Sequence, residues 1–368
     1  MKICFFINSL NSSGGTERVS SVLANYFVKM GYCICFITNE PLISPFFYLD
    51  ENIEIFELNK KSKNRYLNSF NNISNLRRKL IDLKVDILID VCTALSLISI
   101  PALIGTRIKH IAWEHFHAQL NWNLITGRLS RFLVGRFCHK VVVLTERDRD
   151  YYQRYFKANN VITILNPVTI SRKNIDLPKF DAKKKLDLDH NVNYIISVGR
   201  LTDQKGFDSL ISIWSKVILE IGEHWKLLII GSGENKKSLQ DMISDLNLES
   251  KIEILPPTQD IDVYYRAADL YAMTSRFEGL PLVLIETKFF NLPSISFDCP
   301  NGPKEIVNSG IDGLLVDNQN IDEFSEKLVY LMKNPDTITE YSENCISDIS
   351  RFELENIANR WVELFKEL

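Results

Sequence analysis

The sequence predicts an α/β protein made of two parallel sheets, each flanked by helices. Three observations carry this reading. Short apolar runs alternate with helical segments along the chain, the signature of parallel sheets covered on both faces. The alternation occurs twice, before and after a charged stretch without periodicity at 169–190. The length, 368 residues, suits two domains of ordinary size.

In the first half the spacing predicts strands at Lys2–Asn8, Cys33–Thr38, Ile53–Glu57, Asp86–Asp90, His110–Trp113, Lys140–Leu144 and Val161–Leu165. Helices are expected at about 16–30, 70–83, 94–105, 122–137 and 145–157. Asn166-Pro167 stops the last strand. The second set starts at Asn191, with strands near 192–198, 226–231, 251–255, 269–273, 294–297 and 313–316. The tail places Ile357, Trp361, Leu364 and Phe365 at helical spacing. The expected domains are therefore 1–168 and 191–350, joined by 169–190, with a final segment 351–368.

Composition is globular, 45% hydrophobic and 24% charged. Seven cysteines show no metal-ligand spacing. Their odd number, with Cys4 and Cys33 in expected buried strands, indicates reduced thiols and a cytoplasmic setting. No signal peptide is visible, because Lys2 leads directly into a strand. The longest apolar stretch, Val91 to Gly105, is short and interrupted by Thr93, Ser96 and Ser99, and reads as a buried helix rather than a membrane span. The net charge of −3 is unevenly spread: residues 1–170 hold 21 Lys and Arg against 13 Asp and Glu. Basic residues gather at Lys60, Lys61, Lys63, Arg65, Arg77, Arg78 and Lys79, and at Arg128, Arg131, Arg136 and Lys140 among Leu129, Phe132, Leu133 and Phe137. Basic and apolar residues at helical spacing point to an anionic membrane surface rather than to nucleic acid.

The segment FEGLPLVLIE, Phe277 to Glu286, follows an apolar run and opens a helix at Pro281. The amides of Gly279 and Leu280 then lie at a helix N-terminus, where a diphosphate is readily held. Proline suits the first helical position, whose N–H is unpaired anyway. Glu278 precedes the helix and can accept from sugar hydroxyls. Glu286 lies on an apolar stretch, where a carboxylate is costly without donors; ribose hydroxyls are suitable ones.

A second set reads SVGRLTDQKGFDSLI. Gly199 ends a strand, Arg200 and Lys205 follow, and Gly206 precedes a helix. A fork-shaped and a point cation on one loop suit a pyrophosphate. Upstream, Gly14 and Gly15 follow the first strand and permit close backbone approach. His115 and His117 follow the strand ending at Trp113.

GRLTDQKGFD, GSGE (Gly231 to Glu234), FEGLPLVLIE, DCPNGPKEIV and DGLLV, with GGTERVSSVLA and WEHFH near the start, together resemble retaining glycosyltransferases of family 4. The likeness covers almost the whole chain with its motifs in order. It implies a GT-B fold, two Rossmann-like domains facing across a cleft, with a last helix returning to the first domain. It also implies transfer of a hexose or N-acetylhexosamine from a nucleotide-sugar. The DCPNGP form resembles bacterial members that extend polyprenyl-diphosphate-linked surface glycans, so the expected partners are a UDP-sugar (GDP-mannose second), a lipid-linked glycan and the inner face of the cell membrane. His115 is the residue the resemblance places near the donor sugar, with His117 standing where the family often has Asn. Catalytic roles are then expected for His115, Arg200, Lys205 and Glu278. Donor binding is expected at Gly15, Arg200, Lys205, Gly279, Leu280 and Glu286. Retention of configuration comes from the resemblance alone.

No cofactor or metal is expected. Asp-x-Asp occurs at Asp148/Asp150, Asp187/Asp189 and Asp260/Asp262, none of which directly follows a strand. The alternatives are a nucleotide-sugar epimerase of the same architecture and a non-catalytic sugar-nucleotide sensor. A dinucleotide oxidoreductase fits less well, since Lys236 stands where a third glycine belongs after Gly231 and Gly233.

Overall fold

The computed structural model describes residues 1–58, 65–119, 124–170 and 173–368. Its contacts divide the chain into two units, Met1–Thr169 with Phe352–Leu368, and Ile170–Arg351.

The first unit holds β1 (Lys2–Ile7), α1 (Gly15–Lys29), β2 (Cys33–Thr38), β3 (Glu54–Glu57), α2 (Arg65–Asp82), β4 (Ile87–Asp90), α3 (Ser96–Leu103), β5 (Lys109–Trp113), α4 (Ile125–Phe137), β6 (Lys140–Val143), α5 (Glu146–Phe156) and β7 (Val161–Thr163). The second holds α6 (Lys179–Lys185), β8 (Asn193–Val198), α7 (Phe207–Ile221), β9 (Trp225–Ile230), α8 (Lys236–Asp245), β10 (Ile252–Leu255), α9 (Ile261–Ala267), β11 (Leu270–Met273), α10 (Leu282–Phe289), β12 (Ser294–Asp298), α11 (Pro303–Ile306), β13 (Gly313–Asp317), α12 (Ile321–Lys333) and α13 (Pro335–Asn344). The last helix, α14 (Leu354–Glu367), returns to the first unit.

Both sheets are parallel, in the orders β3-β2-β1-β4-β5-β6-β7 and β10-β9-β8-β11-β12-β13. Strands such as KICFFI and NYIISV are apolar at nearly every position because both faces are covered. Each order reverses at one point, between β1 and β4 and between β8 and β11. Loops leaving the two strands at such a point run in opposite directions and open a crevice at the carboxyl edge.

Three expectations need correction. The segment 169–190 is not merely a connection: it carries α6, whose Ala182 packs against Val263 and Ala267 of α9. Short helices of this kind are too brief to declare a periodicity. Helix α2 begins at Arg65, about a turn earlier than its apolar spacing indicates. Cys33 is exposed at the first position of β2, whereas Cys35 is buried and stands opposite Cys4.

Helix α14 belongs to the core of the first unit. The Trp361 ring meets Trp113 edge-on at 4.9 Å, and Phe365 meets Phe27 at 5.3 Å. Arg360 donates to the Thr163 carbonyl at 2.6 Å. Emptying such a site costs about 3–5 kcal/mol for a large aromatic. Trp361→Ala is therefore expected to lower unfolding stability by about 3–5 kcal/mol in urea titration; an unchanged midpoint would show that α14 is not part of this core.

Candidate active site

In the second unit the two sequence motifs meet where the strand order reverses. Gly199 to Gly206 leaves β8, and Thr274 to Pro281 leaves its neighbour β11. The first loop makes a single turn at Asp203–Lys205 and ends at Gly206 with φ 64°. A side chain at Gly206 would put Cβ 2.2 Å from the Thr274 carbonyl oxygen; only glycine permits both the backbone conformation and the approach. The Thr274 hydroxyl donates to the Gly206 carbonyl at 2.8 Å. Arg276 N–H donates to the Gln204 carbonyl at 2.8 Å, and the Gln204 amide to the Phe277 carbonyl at 3.1 Å.

Across this seam, Lys205 Nζ and Glu278 Oε1 lie 2.6 Å apart. Glu278 is buried and Lys205 half-buried, so each charge needs the other. Arg200 is exposed on the same loop and reaches Gln204 at 3.4 Å. The structure thus brings Arg200, Lys205 and Glu278 into one loop pair. Gly279 and Leu280 follow Glu278 and immediately precede α10.

Pro281 does not occupy the first helical position. It is the N-cap of α10, with φ −71° and ψ 103°, and its carbonyl accepts from Leu284 at 3.0 Å. A proline fixes only φ, and its extended ψ here delays the helix to Leu282. Glu286 is buried inside α10, and the Tyr265 hydroxyl donates to its Oε2 at 2.8 Å. A protein donor therefore meets this carboxylate, which the sequence reading had left to ribose hydroxyls alone.

The glycine motifs nearby are packing devices. A Cβ on Gly302, at φ 96°, would fall 2.3 Å from Pro281 Cδ and 2.8 Å from the Gly279 carbonyl oxygen, so the DCPNGP loop presses on the one before α10. Gly231 and Gly233 bring the next loop against Gly199 and Leu201, with Leu201 N–H donating to the Ser232 carbonyl at 2.8 Å.

Sequence reasoning missed three supports. Arg276 forks onto Asp208, at 3.0 and 2.6 Å, fixing the β11 loop to the start of α7. The buried Lys288 ammonium of α10 lies 2.6 Å from Asp312 and 2.5 Å from Asp348. Tyr265 holds Glu286. Each spans elements distant in sequence, so no local spacing announces it.

In the first unit, His115 follows β5. Its ring lies 4.1 Å from that of Trp113, and its buried Nε2 has no hydrogen-bond partner among the described residues. Burial pushes its pKa down to about 3, so the ring is neutral at ordinary pH. His117 Nδ1 instead accepts from Gln119 N–H at 3.2 Å. Burial, with Arg131 and Arg147 nearby, lowers it to about 4. Glu114, between Trp113 and His115, is buried and accepts on Oε2 from Thr93, Arg131 and Tyr152, each at 2.9 Å. Gly15 is the first residue of α1, and Gly14 its N-cap.

Among the described residues no three His, Cys, Asp or Glu side chains converge to hold a metal. The Asp-x-Asp carboxylates have structural work: Asp148 accepts from Ala118 N–H, Asp189 from Asn191 N–H and Asp262 from Asn174 and Val263 N–H.

The family described as Glycosyltransferase Family 4 matches residues 13–172, and Glycosyl transferases group 1 matches residues 178–348. An uncharacterized glycosyltransferase of Haemophilus influenzae is 36% identical, covering 98% of both chains. The amylovoran biosynthesis glycosyltransferase AmsD of Erwinia amylovora is 31% identical, covering 99% of both. An alpha-1,4-N-acetyl-D-galactosaminyltransferase of Campylobacter jejuni, named for a GalNAc-bearing diNAcBac-PP-undecaprenol, is 27% identical over 100% of this chain and 99% of its own. Among solved structures, Anabaena HepE with UDP-glucose superposes with a TM-score of 0.81 at 18% identity, covering 100% of both chains. Sucrose-phosphate synthase of Thermosynechococcus elongatus gives 0.85 at 16% identity, covering 100% of this chain and 99% of its own. These two likenesses concern the fold. The sequence relatives and the paired Rossmann-like sheets lead to one assignment: the chain belongs to the glycosyltransferases, with the GT-B fold.

Proposed function

We propose that this chain is a retaining, metal-independent glycosyltransferase of family 4 that extends a polyprenyl-diphosphate-linked glycan in bacterial surface polysaccharide synthesis. The donor is a UDP-linked hexose or N-acetylhexosamine, with GDP-mannose as the next candidate. The observation that carries the reading is the convergence of Arg200, the Lys205–Glu278 pair and the amides before α10 at the strand-order reversal of the second unit. The lipid-linked acceptor is supported by the undecaprenol-linked glycan in the Campylobacter relative's name and by the DCPNGP loop.

Sugar transfer breaks the anomeric C–O bond to the diphosphate and forms one to an acceptor hydroxyl. As the bond breaks, negative charge grows on the departing diphosphate and positive charge on the sugar ring. Arg200, Lys205 and the N–H groups of Gly279 and Leu280 stabilise the first where it develops. A single contact of this kind is worth about 2.7–4 kcal/mol of barrier. Glu278 contacts sugar hydroxyls and holds Lys205 in place. Glu286 takes the ribose hydroxyls, its carboxylate fixed by Tyr265. His115 and Gly15 are assigned to the donor from the family resemblance; His115 is neutral and so acts as a hydrogen-bonding group rather than a cation.

The direct test incubates purified protein with a panel of nucleotide-sugars and a polyprenyl-diphosphate-linked glycan, with products read by mass spectrometry and NMR. One added sugar with the donor's anomeric configuration is expected. Release of a free epimer, or transfer with inversion, would overturn the reading.

Two further outcomes follow from the residue roles. Arg200→Ala and Lys205→Ala should each lower turnover at saturating donor by at least about tenfold, while Glu286→Ala should weaken calorimetric binding of free UDP and Glu278→Ala should mainly reduce transfer. Wild-type turnover in both cation variants, or unchanged UDP affinity in Glu286→Ala, would remove the corresponding role. Activity in excess EDTA should match activity with magnesium; a loss on chelation that a divalent ion restores would show that metal takes part.

A further inference from the structure

The second unit has a pocket of about 210 Å³ at the amino edge of its sheet, where Asp269 leads into β11 and Pro293 into β12. The Lys205–Glu278 seam lies at the opposite, carboxyl edge, so the pocket is no part of it. Its walls include Tyr265 and Arg266 of α9, Phe290, Asn291 and Pro293 after α10, and Ile338 of α13. Two polar groups in these walls lack partners. Arg266 Nε donates to the Leu177 carbonyl at 2.8 Å, while its two terminal nitrogens make no hydrogen bond or ion pair among the described residues. Burial lowers the pKa of this half-buried guanidinium, and Asp176 nearby offsets part of the effect; arginine stays charged regardless. Asn291 adopts the left-handed conformation, φ 55°, just beyond α10, and its carbonyl accepts from Ser342 Oγ at 2.6 Å. Its side-chain Oδ1 is buried with no partner among the described residues. The helix end accounts for an asparagine here, but a buried oxygen without a donor is unfavourable.

We propose that this pocket is a second binding site, for a small carboxylate that also carries hydroxyls, and that its occupant acts on the donor site through Tyr265. The end of a guanidinium presents two parallel N–H donors, which match the two oxygens of a carboxylate. A hydroxyl supplies the donor that Asn291 Oδ1 lacks. Charge selects a monoanion. Lys179 also lines the pocket but faces Asp269 at 3.0 Å, which leaves Arg266 as the cation to be matched. A phosphate dianion would bring a second negative charge beside Asp176 and Asp269. The volume is below the roughly 300–1,000 Å³ of pockets for drug-sized ligands and suits a single sugar-sized acid, with Phe290, Pro293 and Ile338 as apolar walls. Tyr265 belongs to both places. It lines the pocket with its ring 5.7 Å from that of Phe290, and its hydroxyl holds Glu286 at 2.8 Å. An occupant packed there restrains Tyr265 and the end of α10, so Glu286 is set before the ribose arrives. Such coupling is reciprocal. It rests on Glu286 as the ribose carboxylate; occupancy of the pocket does not. The basic segments of the first unit carry no part of this, and Lys60, Lys61 and Lys63 lie outside the described residues.

The test is calorimetry on the full chain with glucuronate, galacturonate and gluconate, and with glucose and glucose 6-phosphate for comparison, first without UDP and then with it. At least one acid is expected to bind, more tightly than glucose 6-phosphate, and glucose is not. Arg266→Gln should weaken that acid at least about tenfold. Asn291→Gly, which tolerates the positive φ, should weaken it at least about threefold. Both should leave UDP affinity without acid unchanged, with folding checked by thermal unfolding. The acid should tighten UDP binding at least about fivefold, and UDP should tighten the acid by the same factor. Tyr265→Phe should keep acid binding and lose this coupling. No binding of any of the acids, tighter binding of glucose 6-phosphate, or equal acid binding in wild type and both folded variants would overturn the site. Acid binding without any change in UDP affinity would overturn the coupling. Failure of UDP itself to bind would overturn the donor reading and the coupling with it, while the acid titration alone still decides the site.

Discussion

The 2.6 Å contact between Lys205 and Glu278 is the constraint on which the second unit's site depends. A carboxylate taken out of water needs a partner, and removing that partner typically costs about 3–5 kcal/mol when the pair is buried. The pair therefore sets the relative position of two loops that belong to different strands. Everything else at the seam serves the same registration. Gly206 admits the Thr274 carbonyl, Gln204 bonds the backbone at Arg276 and Phe277, and Arg276 forks onto Asp208. The amides of Gly279 and Leu280 inherit their position from this arrangement, since they follow Glu278 directly. A cation held by a carboxylate in this way is fixed before a diphosphate arrives, which lowers the reorganisation needed to stabilise a leaving group.

Behind the seam lies a second layer built on buried charge. Lys288, on the same helix as Glu286, is held by Asp312 and Asp348 and also donates to the Ile306 carbonyl at 3.1 Å. This anchors α10 from below, while Tyr265 fixes Glu286. The first unit repeats the logic at the end of β5. Glu114 gathers three donors on one oxygen, leaving Trp113 packed on α14 and His115 beside it with its Nε2 unpaired among the described residues. In both units a carboxylate near a strand end organises the residues assigned to chemistry.

Much of this was legible in the sequence because it is local. The thirteen strands among the described residues are short apolar runs bounded by polar or glycine residues, and the structure places them within a residue or two of their expected limits. Arg200, Lys205 and Glu278 were visible as charges just beyond such runs. What the sequence did not disclose is non-local. Tyr265 lies 21 positions from Glu286, and Arg131 lies 17 from Glu114; neither spacing marks a pairing until strands and helices are stacked. Pro281 shows a finer limit: proline's φ suits a helix start, but ψ decides whether the helix has begun, and that depends on Gly302 packing against it.

The central claim is that Lys205, held by Glu278, is the cation that receives the donor diphosphate. The most direct measurement is calorimetric binding of UDP to the wild type, Lys205→Met, Glu278→Gln and the double variant, with folding checked by thermal unfolding. The account predicts that Lys205→Met and the double variant lose at least about tenfold in affinity, and that Glu278→Gln, whose amide oxygen still accepts from the Lys205 ammonium, loses less. Folded Lys205→Met and double variants that bind UDP as tightly as the wild type would contradict it.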